Sequence, residues 1–257
     1  MRVVAFIPAR TGSKRLPHKN TACVGNTTLV QRTVNAACES GLAYKCVVST
    51  DDEKILHNAG DAKYASHLFW HKRPPHTCTD HAQIESAIAD FWRHEPKNER
   101  ADVIVLLQPT SPFRTAAHVR EALRLLEVTG ADSVVGVTVG HEPHFAGRLK
   151  PRDWVGPTPV VSVADPVRYH PVEHGTFYDF HPFRDVTAER PRTQDMRPMG
   201  TENGSLYAFT REHWEKTGNR MGGHMVALPM SKIDGMDIDT AEDLAMANAM
   251  VAAGVAR

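Results

Sequence analysis

Short apolar runs alternate with amphipathic stretches along the first half of the chain. The apolar runs have strand length: one begins at Val4 and breaks at Pro8, and others cover residues 46–50, 67–70, 102–107 and 133–139. Between them, apolar residues recur at helical spacing over residues 29–40, 84–92 and 118–129, and the acids at Asp51 and Asp52 mark a further helix start. This alternation predicts an α/β fold with a doubly wound, mostly parallel sheet.

The alternating pattern fails between residues 140 and 200. Prolines recur there among many histidines and aromatic residues. A long irregular segment inside a compact domain is usually functional or disordered, and the aromatic content argues against disorder. After this segment, a strand is expected at residues 225–230 and a last helix after Thr240. We therefore expect residues 1–257 to form a single domain, with 140–200 as an inserted segment.

Composition argues against several classes of partner. The 257 residues carry a formal net charge of zero and the pI is about 7.3, so we expect no nucleic-acid or anionic-membrane binding. No apolar run reaches the roughly 18 residues of a membrane span. The first apolar run ends at Pro8, which is too early for a signal peptide. Four cysteines without Cys-x-x-Cys spacing are typical of a reduced, cytoplasmic enzyme.

A basic loop follows the first strand. Its cationic side chains are Arg10, Lys14, Arg15 and Lys19. Gly12 and Ser13 leave room for backbone N–H groups to approach an anion, and the cations could neutralise phosphate charge. Ligands of open α/β sheets lie beyond the carboxyl ends of the strands, where this loop begins. On charge alone, a solvated basic loop is an equally good interpretation.

Two aspartates precede the last helix. Alternation in extended chain puts Asp237 and Asp239 on the same side, where two carboxylates could share one hard cation. Spacing alone favours a different interpretation, acidic residues clustered before a helix start. The basic loop is a candidate triphosphate site, and this favours Mg²⁺ binding at the two aspartates. Mg²⁺ usually takes one or two protein carboxylates plus substrate phosphates.

Four strings of residues carry a resemblance to a known family. They are Ile7-Pro8-Ala9-Arg10-x-Gly12-Ser13-Lys14-x-Leu16-Pro17-x-Lys19-Asn20, then Leu106-Leu107-Gln108-Pro109-Thr110-Ser111-Pro112-Phe113-Arg114, then Glu202-Asn203-Gly204-Ser205-Leu206-Tyr207, and Asp237-Ile238-Asp239-Thr240. In this order, and over nearly the whole chain, they resemble the acidic-sugar cytidylyltransferases, typified by the CMP-N-acetylneuraminate synthetases. In the second string Phe113 stands where that family has leucine.

The resemblance implies roles for individual residues. The residues expected to bind the nucleotide are Ala9, Arg10, Ser13, Lys14, Lys19, Asn20, Arg73 and Asp80. Sugar binding would fall to Gln108, Thr110, Arg192 and Tyr207, and Mg²⁺ to Asp237 and Asp239. The expected catalytic residues are Arg10, Lys19, Asp237 and Asp239. A helix cap, completed as a capping box by Gln83, explains Asp80 equally well. A surface position explains Arg192 as well as a guanidinium placed on the sugar carboxylate does.

The function implied is a Rossmann-like cytidylyltransferase of the nucleotide-diphospho-sugar transferase type. It would form a CMP-activated nonulosonic (sialic-type) acid and pyrophosphate from CTP and an acidic 2-keto sugar. A homodimer is also implied, with residues 140–200 pairing the subunits and closing over the sugar.

Two departures from the family keep legionaminic, pseudaminic and deaminated sialic acids open as substrates. Arg15 stands where many sialic-acid enzymes have glycine, and no matching lysine lies near His144 and Phe145. Two other classes also stay open. One is a glycosyltransferase that uses Asp237-x-Asp239, which pyrophosphate release from CTP would exclude. The other is a nucleotide-binding protein without catalysis, against which the retained aspartates and Arg10 argue.

Overall fold

The computed structural model describes residues 1–60, 64, 67–96, 98–141, 147–151, 178–182, 192 and 198–256. The chain divides into two compact units, Met1–Gly140 with Gly200–Arg257, and His141–Met199. Most of the segment expected to be an insertion lies outside the described residues. In the His141–Met199 unit, the described strands β8 (Gly147–Pro151) and β9 (Tyr178–Pro182) pair antiparallel.

Strands and helices alternate through the larger unit. Its strands are β1 (Val3–Pro8), β2 (Cys23–Val24), β3 (Thr27–Thr28), β4 (Lys45–Thr50), β5 (Leu68–Lys72), β6 (Val103–Leu107), β7 (Ser133–His141), β10 (Pro198–Thr210) and β11 (Met225–Met230). Its helices are α1 (Leu29–Glu39), α2 (Glu53–Ala59), α3 (Ile84–His94), α4 (Ala116–Thr129), α5 (Arg211–Thr217) and α6 (Ala241–Ala252). Strands β7 and β10 reach one and two residues past the border between the units.

A seven-stranded sheet forms the centre of the described structure, in the order β11-β7-β10-β6-β1-β4-β5. β1 pairs parallel with both β4 and β6, β4 pairs parallel with β5, and β11 pairs parallel with β7. β10 runs antiparallel to β6. The prediction of an α/β fold with a mostly parallel sheet is confirmed, and the continuous apolar runs are those of strands buried on both faces.

Side-chain alternation along β1 builds a core on each face of the sheet. Val3, Ala5 and Ile7 pack with apolar residues of α1, α2 and α4, whereas Val4 and Phe6 pack with those of α3 and α5. A third apolar cluster lies beside the carboxyl edge of the sheet and contains Leu29, Phe113, Ile238 and Ala247. This third cluster fixes the chain next to the loops discussed below.

The structure corrects one predicted helix start and supports two others. Helix α3 begins at Ile84 with Gln83 at its N-cap and no side-chain cap, so the capping box of Asp80 and Gln83 is wrong. The Asp52 side chain does cap α2, and Thr240 with Asp243 forms a capping box on α6. Asp80 instead forms ion pairs with Lys14 and Arg10 of the basic loop.

Candidate active site

The loop after β1 is anchored at both ends by hydrogen bonds. The N–H of buried Ala9 donates to the Ser49 carbonyl at 2.9 Å, and the backbone N–H and hydroxyl of Thr11 donate to the Asp51 carboxylate at 3.0 and 2.8 Å. Buried Asn20 returns to the start of the loop, its side-chain amide donating to the Arg10 carbonyl at 2.8 Å. These contacts close the loop over the carboxyl ends of β1 and β4.

Two cations of the loop meet on one acid. Asp80 accepts from Lys14 at 2.6 Å and from Arg10 at 3.2 Å. The hydrogen bond from Lys14 comes first among the contacts that hold the pKa of Asp80 below its usual range, and Arg10 adds to it. Arg10 also donates to the Cys78 carbonyl at 2.9 Å. The structure thus brings Arg10, Lys14 and Asp80 together.

Two more cations of the same loop meet on Asp239. Its carboxylate oxygens accept from Lys19 and from Arg15, each at 2.9 Å. Lys19 is mostly buried, with 14% of its side chain exposed, whereas 70% of the Arg15 side chain is exposed. Lys19 is therefore the more firmly held of the two. The sequence analysis identified Arg15 as a cation of the basic loop and as a departure from the family, but its contact with Asp239 was not predicted.

The segment around Asp239 is tied to the loop that follows β6. Buried Ile238, between the two aspartates, donates its N–H to the Thr110 carbonyl at 2.8 Å. Burial raises the pKa of Asp237, a hydrogen bond from the Thr110 side chain opposes that rise, and the charge of Asp239 adds to it. Thr110 and the two aspartates thus form one cluster, and its two carboxylates repel each other.

This cluster fits a divalent cation in the chemistry of its donors. Within the described residues, no group of three or more His, Cys, Asp or Glu side chains is arranged to hold a metal. Two carboxylates are nonetheless the usual protein share of an Mg²⁺ site completed by phosphate and water. A cation beside Asp237 would stabilise its ionised carboxylate, which burial and repulsion by Asp239 both destabilise.

Arg73 does not share an acid with the other cations. It is buried, and its guanidinium donates to the Thr77 carbonyl at 2.6 Å and to the Thr77 hydroxyl at 3.3 Å. Burial lowers its pKa. In this arrangement Arg73 braces the turn that leads to Cys78, whose carbonyl in turn holds Arg10.

Buried Arg114 links the loop after β6 to β10, and this role was not predicted. Its guanidinium donates to the Gln108 carbonyl at 2.9 Å and to the Ser205 carbonyl at 2.7 Å. Burial lowers its pKa to about 9. The arginine stands at the end of the second family string, but nothing in the string shows that it binds backbone of the third.

The strand β10 presents the third string beside that link. The Asn203 amide donates to the Thr138 hydroxyl at 3.4 Å, and its side-chain oxygen accepts the Ser205 N–H at 3.1 Å. Gly136 faces this amide so closely that a Cβ there would lie 2.9 Å from the Asn203 oxygen. Tyr207 is buried, its hydroxyl donates to Glu202, and the Arg220 guanidinium lies 4.7 Å from the centre of its ring.

The remaining predicted site residues are partly or fully exposed. Ser13 and Gln108 are partly exposed, and Arg192 is exposed and belongs to the His141–Met199 unit. No helix in the described part of the chain is long and apolar enough to cross a bilayer.

Known proteins resemble the chain over most of its length. It is 38% identical over 139 residues to a CMP-N,N'-diacetyllegionaminic acid synthase of Legionella pneumophila, which covers 54% of this chain and 58% of that protein. It is 30% identical over 253 residues to N-acylneuraminate cytidylyltransferase A of Danio rerio, which covers 97% of this chain and 50% of that protein. The chain spans about half the length of the curated relatives it matches.

Two solved structures share the fold. A CMP:2-keto-3-deoxy-manno-octonic acid synthetase solved with CTP superposes with a TM-score of 0.63 at 15% identity, covering 99% of this chain and 100% of that one. A 4-diphosphocytidyl-2C-methyl-D-erythritol synthase from Anaerococcus prevotii gives a TM-score of 0.57 at 11% identity, covering 98% and 96%. The family model described as cytidylyltransferase matches residues 4–145, more than half of the chain. The chain therefore belongs to the cytidylyltransferase family.

Proposed function

We propose that the chain transfers a cytidylyl group from CTP to an acidic nine-carbon 2-keto sugar and releases pyrophosphate. The observation that carries the proposal is the pairing of four cations of one loop, Arg10, Lys14, Arg15 and Lys19, with two acids, Asp80 and Asp239. In the structure these cations contact carboxylates. A triphosphate would offer them stronger acceptors at the same edge of the sheet.

In this proposal, the anomeric hydroxyl of the sugar attacks the α-phosphorus in line with the leaving pyrophosphate. Charge spreads over the phosphate oxygens in such a transfer, so positioning and electrostatic stabilisation do most of the catalysis. Arg10 and Lys19 would supply the stabilising charge. Lys14, Ser13, Asn20 and the backbone at Ala9 would position the nucleotide, while Arg73 would act through the turn that holds Arg10.

The aspartates complete the proposed site. Asp237 and Asp239 would hold Mg²⁺, which when bound polarises the α-phosphate and stabilises the leaving group. The Nζ atom of Lys19, in the basic loop, lies 2.9 Å from the Asp239 carboxylate. Lys19 would therefore keep the Asp239 carboxylate oriented toward the phosphates. Arg15 would leave Asp239 and bind the phosphates.

We place the sugar near Gln108 and Thr110, because these residues follow β6 at the same edge as the basic loop. Arg192 would hold the sugar carboxylate, and Tyr207 would support the pocket wall. The names of the curated relatives support a sialic-type or legionaminic-type acid. We further propose a homodimer, which a mass measurement in solution by light scattering tests directly. The four free thiols fit a reducing, cytoplasmic setting.

The test is pyrophosphate release from CTP with Mg²⁺ over a panel of acidic sugars. The panel holds N-acetylneuraminate, its deaminated analogue, legionaminate, pseudaminate and the eight-carbon Kdo. We expect turnover with one nine-carbon member and none with CTP alone. Nucleotide binding without turnover of any member would contradict the proposed reaction.

A further inference from the structure

Two cysteines far from the candidate active site touch through their sulfur atoms. Cys38 lies in the last turn of α1 and Cys46 is the second residue of β4, and their Sγ atoms are 3.1 Å apart. A disulfide bond measures about 2.05 Å, so the two sulfurs lie about 1 Å beyond bonding distance. Both cysteines are free thiols in the structure.

A cavity gives small molecules access to this pair. Its volume is about 250 Å³, and it is lined by Cys38, Gly41, Ala43, Cys46, Tyr64 and His67. One water occupies about 30 Å³ of liquid, so the cavity has room for a small hydroperoxide. Cys38 is partly exposed, whereas Cys46 is buried. A reagent in the cavity therefore meets Cys38 first.

The contact also makes the two thiols unequal in acidity. The hydrogen bond from Cys46 stabilises a thiolate at Cys38 and lowers the pKa of Cys38. The same hydrogen bond, with burial, raises the pKa of Cys46. The thiolate is the reactive form of cysteine. The more accessible sulfur is thus also the better nucleophile, and its partner is held ready behind it.

The pair lies at the opposite edge of the sheet from the basic loop. Cys46 stands at the amino end of β4, while Asp51, which anchors the basic loop through Thr11, follows the carboxyl end of the same strand. Oxidation of the pair would therefore leave the residues of the proposed active site in place.

We propose that Cys38 and Cys46 are a site of reversible oxidation by hydroperoxides, which join them in a disulfide. The Cys38 thiolate attacks a peroxide oxygen, the O–O bond breaks, and Cys38 becomes a sulfenic acid as hydroxide or alkoxide leaves and takes a proton. The Cys46 sulfur then attacks the Cys38 sulfur, and the S–O bond breaks with loss of water. Two thiols give up two electrons, and the peroxide takes them.

Peptide mapping after exposure to hydrogen peroxide tests the proposal. Trypsin cleaves after Lys45, between the two cysteines, so the disulfide would join the peptides covering residues 33–45 and 46–54. We expect this linked pair to appear with the loss of two titratable thiols per chain, and dithiothreitol to restore both. The double variant Cys23→Ser, Cys78→Ser should behave in the same way, because it keeps the pair.

Two single variants separate the steps. Cys46→Ser should accumulate a sulfenic acid at Cys38 that dimedone labels, and Cys38→Ser should leave Cys46 reduced under the same exposure. If the wild-type peptides 33–45 and 46–54 stay separate and both cysteines remain open to alkylation after unfolding, the proposal is overturned. Preferential oxidation of Cys23 alone would overturn it as well.

Discussion

Asp239 is a single carboxylate held by two cations that come from a loop about 220 residues earlier in the chain. Its two oxygens are divided between Lys19 and Arg15, while its own N–H donates to Asp243. At the scale of the residue, this carboxylate connects the basic loop to the proposed metal site. Removing its charge should therefore affect chemistry far more than folding.

The first prediction concerns that charge. Asp239→Asn keeps the size of the side chain but loses a metal ligand, so we expect Mg²⁺-dependent turnover to fall at least about 100-fold, since a bound metal supplies several kcal/mol. Pyrophosphate release measures the loss, and circular dichroism checks the fold. Glu127→Gln, an exposed acid on α4, is the matched control. Turnover near the wild-type rate would exclude Asp239 as a metal ligand.

A second prediction concerns His71, whose side chain is 10% exposed. Its ring lies between the Ser49 hydroxyl at 2.9 Å and the Asp90 carboxylate at 3.0 Å. Burial lowers its pKa, outweighing the opposing effect of Asp90, and the charges of Arg73 and His94 add to the lowering. The unfolded chain then takes up a proton near pH 6.5 more readily than the folded chain, so stability should fall as pH drops below that value.

Urea unfolding between pH 7.5 and 5 measures this effect. His71→Gln should weaken the loss of stability on acidification, while His57→Gln, at an exposed position on α2, should leave the loss as in the wild type. Part of the slope should persist in both variants, because burial also lowers the pKa of His118. An unchanged slope in His71→Gln would rule out this source of pH dependence.

At the scale of secondary structure, α6 begins directly after the proposed metal ligands. The Thr240 hydroxyl accepts the Asp243 N–H at 3.2 Å, and the Asp243 carboxylate accepts the N–H groups of Thr240 at 2.8 Å and of Asp239 at 3.0 Å. The cap therefore serves the helix and also fixes the backbone of Asp239. A weakened cap should be visible both in stability and in activity.

The third prediction follows from this cap. Thr240→Ala removes one half of the capping box, and we expect a loss of about 1 kcal/mol in the free energy of unfolding, the usual cost of a lost N-cap. Chemical denaturation measures it. Thr129→Ala, at the exposed end of α4, loses only a hydrogen bond to the Leu125 carbonyl of the same helix and should change stability less. Equal stability of the two variants would contradict a structural role for the box.

Sequence periodicity predicted most strands and helices of the larger unit, but it missed β10, which has 13 residues, as well as some short elements. Continuous apolar runs located β1, β4 and β6, because a strand buried on both faces needs no polar alternation. Helix α5 was not predicted, since its seven residues are too few for a helical period to stand out. The start of α3 was misplaced because Asp80, a good cap by type, is held instead by Lys14 and Arg10.

Most residues of the candidate site were predicted from the sequence, but their contacts were not. The family strings indicated the residues of the basic loop and the two aspartates. Each string covers a short run of the chain, so it can be recognised without knowledge of the fold. Which cation pairs with which acid could not be predicted, because Lys19 and Asp239 meet only through the fold. The same holds for Arg114, whose contact with Ser205 joins residues 91 positions apart.

At the scale of the whole molecule, a net charge of zero coexists with a local cluster of four cations. Binding of a triphosphate should therefore depend on this cluster and not on general attraction. The fourth prediction is that CTP at 100 times its dissociation constant raises the free energy of unfolding by about 2.7 kcal/mol. Lys19→Met should remove most of this stabilisation.

Thermal or chemical unfolding with and without CTP measures the shift. Lys216→Met is the control, because this lysine is exposed on α5 and pairs only with Glu212 among the described residues. Loss of the CTP effect in the control variant, or its full retention in Lys19→Met, would argue against nucleotide binding at the basic loop.

The two strands that bound the unit His141–Met199 are neighbours in the central sheet. β7 ends where that unit begins and β10 starts where it ends, and the two lie side by side. The closure entropy of a connection grows only with the logarithm of its length, about 0.6 kcal/mol for each doubling. A change in the length of the intervening segment should therefore cost the larger unit little stability.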